Sequence, residues 1–131
     1  MGNKRILIVD DAGDILEIAQ LSLEMAADWE ILTACSVREA LKVATSEKPD
    51  AILLDITMPE MDGIAVFQQL QANPNTAGIP VILMTARSRL TDRQQFSRLG
   101  IAAAIAKPFD PINLANQIAN ALNWPQPNPH Q

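Results

Sequence analysis

Five short and almost continuous apolar runs recur along the chain, and they constrain its fold more than any other feature. Strands with one face in water alternate apolar and polar residues, whereas strands buried on both faces of a parallel sheet are apolar throughout. The pattern therefore predicts a parallel β-sheet covered on both sides. The runs are residues 6–9, 31–34, 51–54, 81–84 and 101–106.

Segments with helical spacing lie between these runs. Apolar residues three or four positions apart predict one buried face for each helix. Residues 86–99 contain few large apolar side chains, so the helix predicted there should pack lightly. The predicted faces are Ile15, Ile18, Ala19, Leu23 and Ala26 in the first helix, Val37, Ala40, Leu41 and Ala44 in the second, and Ala115, Ile118, Ala119 and Leu122 in the last.

Capping signals mark the starts of three helices. Ser36 and Glu39 have the spacing of a capping box, in which each side chain accepts a backbone N–H at the start of the helix. Asp62 can cap the helix after the third strand. Asp110 followed by Pro111 predicts an N-cap with proline at the first helical position.

Alternation of strands and helices predicts the architecture of the whole chain. Five βα units without an internal boundary favour one α/β domain with a doubly wound, flavodoxin-like parallel sheet of strand order 2-1-3-4-5 and five helices. We predict that this domain covers residues 1–124. The short proline-rich tail, residues 125–131, is predicted to be disordered.

Composition excludes several kinds of function. Cys35 is the only cysteine and His130 the only histidine, so an internal disulfide or a cysteine-based zinc site is impossible. Ten Lys and Arg against fifteen Asp and Glu give a net charge of −5, which disfavours nucleic acid and anionic membranes as partners. The first apolar run is too short for a signal peptide or a membrane span. We expect a cytoplasmic protein.

Polar residues stand where the predicted strands end. Asp10 and Asp11 follow the first strand, Asp55 ends the third, Thr85 ends the fourth and Lys107 ends the fifth. Each of them alone fits a turn residue, a cap or a solvated side chain. Their convergence on the carboxyl edge of one sheet, where doubly wound folds bind ligands, favours a functional site.

The chemistry of these side chains indicates phosphoryl transfer. Three neighbouring carboxylates repel one another and call for a cation, and oxygen ligands with few protein groups suit Mg²⁺. A nucleophilic carboxylate, a metal ion and cationic or hydroxyl donors are what such a reaction requires. Asp55 would be the nucleophile, with Lys107 and Thr85 as the donors.

Four motifs in order, ILIVDD, AILLDITMPEMDG, VILMTA and AKPF, resemble the receiver domains of two-component response regulators, particularly single-domain members akin to the chemotaxis regulator. The resemblance covers residues 4 to about 123. It implies that Asp55 accepts a phosphoryl group from a phosphohistidine of a sensor histidine kinase or phosphotransfer protein. It also implies a Mg²⁺ site formed by Asp10, Asp11, Asp55 and the backbone carbonyl of Thr57, with Thr85 and Lys107 contacting the phosphoryl oxygens.

One position departs from the family pattern. Receivers usually carry Tyr or Phe three residues before the lysine, and here the residue is Ala104. We therefore expect output to depend on the loop after Thr85 and on a face made of residues 88–99, the fifth strand and the last helix. Four arginines favour that face for docking a protein, although a solvated helix explains them equally well: Arg87, Arg89, Arg93 and Arg98.

Three alternatives compete with a phosphoacceptor switch. A flavin-binding protein would need a Ser-, Thr- or Gly-rich loop after the first strand, where this chain has DDAGD. An aspartyl phosphatase would place its nucleophile after the first strand. A receiver-shaped interaction module that works without phosphorylation stays open because of Ala104. We expect a stand-alone switch that is monomeric or weakly dimeric and signals through protein contacts.

Overall fold

A single parallel sheet organises the molecule. The computed structural model describes residues 4–10, 13–26, 29–55, 63–85, 94, 97–106 and 110–124. All neighbouring strands are parallel in the order β2-β1-β3-β4-β5, which confirms the predicted sheet. The strands are β1 (Arg5–Val9), β2 (Glu30–Ala34), β3 (Ala51–Asp55), β4 (Val81–Thr85) and β5 (Ala103–Ala106).

Helices separate the strands, as predicted. Residues 94 and 97–99, between β4 and β5, are also helical, and we call this described part of the chain α4. No helix in the described part of the chain is long and apolar enough to cross a membrane. The other helices are α1 (Gly13–Ala26), α2 (Val37–Glu47), α3 (Gly63–Ala72) and α5 (Leu114–Leu122).

Each strand contributes to two separate apolar layers. Leu7 and Val9 of β1 belong to one cluster with the buried residues of α2 and α3. Ile6 and Ile8 of the same strand belong to the other, with those of α1 and α5. Successive side chains of a strand point to opposite faces. Because helices cover both faces, every position of the strand needs an apolar residue, which explains the continuous runs.

One predicted helix face was partly wrong. Ala19 and Leu23 of α1 are buried, but Ile18 is 47% exposed. Successive residues of a helix are about 100° apart, so a stripe centred on Ala19 and Leu23 leaves Ile18 toward solvent. Ile18 lies instead on the same side of the helix as Leu21 and Met25, which are also exposed.

The predicted start of the last helix was also wrong. Helix α5 begins at Leu114 with Asn113 as its N-cap, one turn later than expected. Asp110 accepts the backbone N–H of Ile112 at 3.0 Å and the side-chain amide of Asn113 at 2.9 Å. The aspartate therefore stabilises a separate turn before the helix, as Asp side chains do when they bond nearby backbone groups.

Two side-chain clusters close the amino edge of the sheet. Arg5 contacts Glu30 at 3.0 Å and Glu47 at 2.6 Å, and these hydrogen bonds, that to Glu47 above all, raise the pKa of the Arg5 guanidinium. Trp29 and Trp124 meet edge to face with ring centroids 5.5 Å apart. The amino edge is thus held by structural contacts, whereas the candidate site lies at the carboxyl edge.

Candidate functional site

Two aspartates lie side by side at the carboxyl edge of the sheet. Val9 of β1 pairs with Leu54 of β3, and Asp10 and Asp55 are the next residues of the two chain segments. Neighbouring strands are about 4.8 Å apart, so these positions are adjacent. The relative exposure of Asp10 is 1% and that of Asp55 is 2%. The structure thus brings together two of the predicted site residues and removes both from solvent.

A third predicted residue reaches the same edge through its backbone. Thr85 ends β4, the strand that pairs with β3 on the side away from β1, and Asp55 pairs with Met84, its neighbour. Thr85 itself pairs with Ala106 of β5, and Lys107 is the next residue in the sequence. The predicted roles of Asp11, Thr57 and Lys107 fall on residues outside the described part of the chain. They stay predictions.

Burial shapes the electrostatics of the aspartate pair. Two like charges about 4 Å apart in an effective dielectric near 20 repel by about 4 kcal/mol. Oxygen ligands of this kind suit Mg²⁺, which keeps several waters and requires few protein groups. Asp10 and Asp55 therefore fit the metal that the sequence implies. Among the described residues, no group of three or more His, Cys, Asp and Glu side chains could hold a metal ion, and Asp11 is not one of those residues.

The backbone of Asp10 is tied to the turn between β2 and α2. Its N–H donates to the carbonyl of Ala34, the last residue of β2, at 3.1 Å. Two residues after Ala34, Ser36 is the N-cap of α2 and accepts the N–H of Glu39 at 3.2 Å. This bond confirms one of the two bonds of the predicted capping box. The reciprocal bond differs. Glu39 accepts the N–H of Cys35 at 2.8 Å, one residue closer to the strand.

The position without an aromatic ring is half-buried. Ala104 pairs with Leu83 of β4 and packs against the cluster that α2 and α3 cover. On the predicted output face, Arg98 and Leu99 are exposed. Arg87, Arg89 and Arg93, which were predicted to extend this face, lie outside the described residues.

The family comparison agrees with this geometry. A family model described as the response regulator receiver domain matches residues 6–119. That segment includes both buried aspartates, Thr85 and the position of Lys107.

Curated relatives share this segment with longer proteins. The chain is 38% identical over 109 residues to the alkaline phosphatase synthesis transcriptional regulatory protein PhoP of Bacillus subtilis, a match covering 83% of this chain and 44% of the relative. It is 37% identical over 122 residues to the phosphate regulon transcriptional regulatory protein PhoB of Pseudomonas aeruginosa, covering 93% and 53%. The chain thus spans about half the length of these relatives.

Solved structures show the same fold over nearly the whole chain. The chemotaxis response regulator CheY4 of Vibrio cholerae superposes with a TM-score of 0.84 at 26% identity, covering 92% of this chain and 99% of that one. A response regulator from Desulfuromonas acetoxidans superposes with a TM-score of 0.79 at 31% identity, covering 92% and 97%.

Proposed function

Because the chain belongs to the family of response regulator receiver domains, we propose that Asp55 accepts a phosphoryl group from a phosphohistidine of a sensor histidine kinase or phosphotransfer protein. The observation that carries this proposal is the position of Asp55. It ends the central strand of the sheet, is buried, and lies beside Asp10. Carboxyl ends of parallel strands are where ligands of doubly wound folds bind.

In the proposed reaction, a carboxylate oxygen of Asp55 attacks the phosphorus atom. The new O–P bond forms as the N–P bond to the donor histidine breaks, and the imidazole nitrogen keeps the electron pair and takes up a proton. Attack of water on the acyl phosphate later returns phosphate and the free carboxylate. The protein is therefore a switch that takes part in its own phosphorylation and dephosphorylation, and it turns over no external substrate.

The remaining site residues stabilise charge. Asp10, Asp11, Asp55 and the backbone carbonyl of Thr57 would hold Mg²⁺, which offsets the negative charge that gathers on phosphoryl oxygens. Lys107 would pair with those oxygens as a cation, and the hydroxyl of Thr85 would donate a hydrogen bond to one of them. Burial of Asp10 and Asp55 supports this arrangement because electrostatic contacts are stronger away from water.

Output is proposed to run through protein contacts of the domain. The face made of α4, β5 and α5 presents exposed residues such as Arg98 and Leu99. Because residue 104 of β5 is alanine, no aromatic ring at that position takes part in the conformational change on phosphorylation. We further propose that the domain acts by itself in the cytoplasm, whereas the curated relatives that it matches are about twice as long.

Intact-mass spectrometry tests the acceptor. The protein is incubated with MgCl₂ and acetyl phosphate, beside Asp55→Asn as the matched variant, which keeps the side-chain size and removes the nucleophile. A phosphate-sized adduct on the wild type alone, lost when magnesium is chelated, supports the proposal. A folded wild type that binds magnesium yet forms no adduct would favour the interaction module that works without phosphorylation.

A further inference from the structure

A continuous set of hydrogen bonds leads from the start of α2 to the site. Glu39 accepts the N–H of Cys35 at 2.8 Å, and Ser36 accepts the N–H of Glu39 at 3.2 Å. Immediately before this turn, the carbonyl of Ala34 accepts the N–H of Asp10 at 3.1 Å. The peptide group between Ala34 and Cys35, at the start of the turn of residues 35–36, therefore makes both the bond to Glu39 and the bond to Asp10.

Both ends of this turn are anchored in one apolar cluster. Ala34 at the end of β2 and Val37 and Ala40 at the start of α2 are buried, and they belong to the same cluster as Val9, the residue before Asp10. A turn held between packed elements has little freedom to adjust. We therefore expect loss of the bond at Cys35 to shift the whole peptide group, including the carbonyl of Ala34 that accepts the N–H of Asp10.

The bond made by Glu39 is charge-assisted. A carboxylate that accepts a backbone N–H makes a shorter and stronger hydrogen bond than a neutral pair, and a carboxylate in the first turn of a helix also interacts favourably with the helix dipole. In a usual capping box this carboxylate restrains the N-cap residue. Here it restrains the residue next to the end of the strand, which directs its effect toward β2 and the site.

We propose that Glu39 is a positioning residue for the metal site: it holds the turn between β2 and α2, and through the bond between Ala34 and Asp10 it fixes where the Asp10 carboxylate lies. This inference rests on the proposed function, in which Asp10 helps to hold Mg²⁺. Glu39 itself is exposed and does not contact the site, so it acts only through the backbone.

Three variants test the proposal. Glu39→Ala removes the acceptor of the Cys35 N–H. Glu39→Gln keeps an oxygen at the same position and should retain most of the restraint on the turn. Glu47→Ala is the matched control because it removes a carboxylate from the other end of α2, where Glu47 contacts Arg5 at the amino edge of the sheet. Two readouts other than phosphorylation are used, both by NMR: the hydrogen exchange of the Asp10 amide and a titration with MgCl₂.

In Glu39→Ala we expect faster exchange of the Asp10 amide and a magnesium affinity lower by about three- to tenfold, less than the 10–100-fold typical of a direct partner of a metal ligand. Glu39→Gln keeps the acceptor but not its charge, so it should lie closer to the wild type than to Glu39→Ala in both readouts. Glu47→Ala should resemble the wild type. This pattern separates positioning from a general loss of stability.

Several results would overturn the inference. They are unchanged magnesium affinity in Glu39→Ala, equal losses in Glu39→Ala and Glu47→Ala, and failure of Glu39→Gln to restore either readout. If the wild type bound no magnesium, the proposed metal site would fail instead. The exchange of the Asp10 amide in the same variants would then decide by itself whether Glu39 restrains that backbone.

Discussion

Asp10 and Asp55 occupy adjacent positions one residue beyond the pair formed by Val9 and Leu54, and both are buried at the carboxyl edge of the sheet. Two carboxylates in this arrangement repel each other, and a cation bound between them would offset that repulsion. The relationship therefore links metal binding to the stability of the folded state.

Magnesium is expected to stabilise the wild type against unfolding. A ligand that binds only the folded state at ten times its dissociation constant adds about 1.4 kcal/mol to the free energy of unfolding. Urea denaturation with and without MgCl₂, at ionic strength matched with KCl, measures this gain. Asp10→Asn should lose most of it. An equal gain in the variant would show that magnesium binds elsewhere or acts only by screening.

Gly100 is expected to resist substitution because of its backbone. Its φ of +97° lies where L-residues are strained, and such a conformation costs about 1–2 kcal/mol. An added Cβ would meet Cζ of Phe67 at 3.8 Å, which is ordinary contact. Gly100→Ala should therefore lower the free energy of unfolding by about 1 kcal/mol through strain alone.

Gly78→Ala is the control for that loss. Its Cβ would meet no atom within 4 Å and its φ is outside the left-handed region. We expect a change of no more than about 0.5 kcal/mol, if anything stabilising, because alanine restricts the unfolded chain. Equal effects of the two substitutions in urea denaturation would refute the strain at Gly100.

The buried hydroxyl of Thr76 is expected to stabilise the end of α3. It donates to the carbonyl of Leu70 at 2.6 Å and approaches that of Asn73 at 3.3 Å, and the residue is only 1% exposed. Thr76→Val keeps the shape but leaves the carbonyl of Leu70 with only the longer bond from the N–H of Asn73, at 3.4 Å. We expect a loss of about 1 kcal/mol, the net contribution of one hydrogen bond. Thr76→Ser keeps the hydroxyl, so thermal or urea unfolding should show a clearly smaller loss. A larger loss in the serine variant would mean that the methyl group matters more.

Trp124 is expected to anchor the end of the domain. Its ring meets Trp29 edge to face, and the Lys4 ammonium lies 4.9 Å from the ring centroid. Aromatic pairs contribute about 0.5–1.5 kcal/mol beyond the area they bury. Because the ring is half-buried, we expect Trp124→Ala to cost about 2 kcal/mol, below the 3–5 kcal/mol of a fully buried tryptophan.

Trp124→Phe keeps a ring against Trp29 and should recover part of that stability in urea denaturation. The chain has only two tryptophans, so fluorescence of the remaining Trp29 reports directly on its new surroundings. If the alanine and phenylalanine variants were equally stable, the ring pair would contribute nothing.

Much of the fold could be predicted because the apolar pattern of each strand or helix indicates which of its residues are buried. The continuous runs predicted five strands and their parallel order, and the helical spacing predicted Val37, Ala40 and Ala44 of α2 as buried, as the structure confirms. The pattern failed for Ile18 of α1. A helix that packs on a sheet and on one neighbouring helix buries only a narrow stripe of residues. The apolar spacing alone does not show which residues lie at the edge of that stripe.

The candidate site could be predicted in part for a related reason. Asp10, Asp55 and Thr85 come to one edge because each ends or directly follows a parallel strand. All strands run in the same direction, which places every such residue at the same end of the sheet. The route from Glu39 to Asp10 could not be predicted. Spacing indicates a capping box, but whether the carboxylate accepts from Cys35 or Ser36 depends on the geometry of the turn.

The sequence by itself determined the alternation of strands and helices, the apolar runs that must be buried on both faces, and the acidic residues that follow them. These are local properties, since each depends on residues close together in the chain. Tertiary structure decided the burial of Asp10 beside Asp55, the contact of Trp29 with Trp124, and the link from Glu39 to the site. Such contacts join residues of different elements, and only packing sets their distance and orientation.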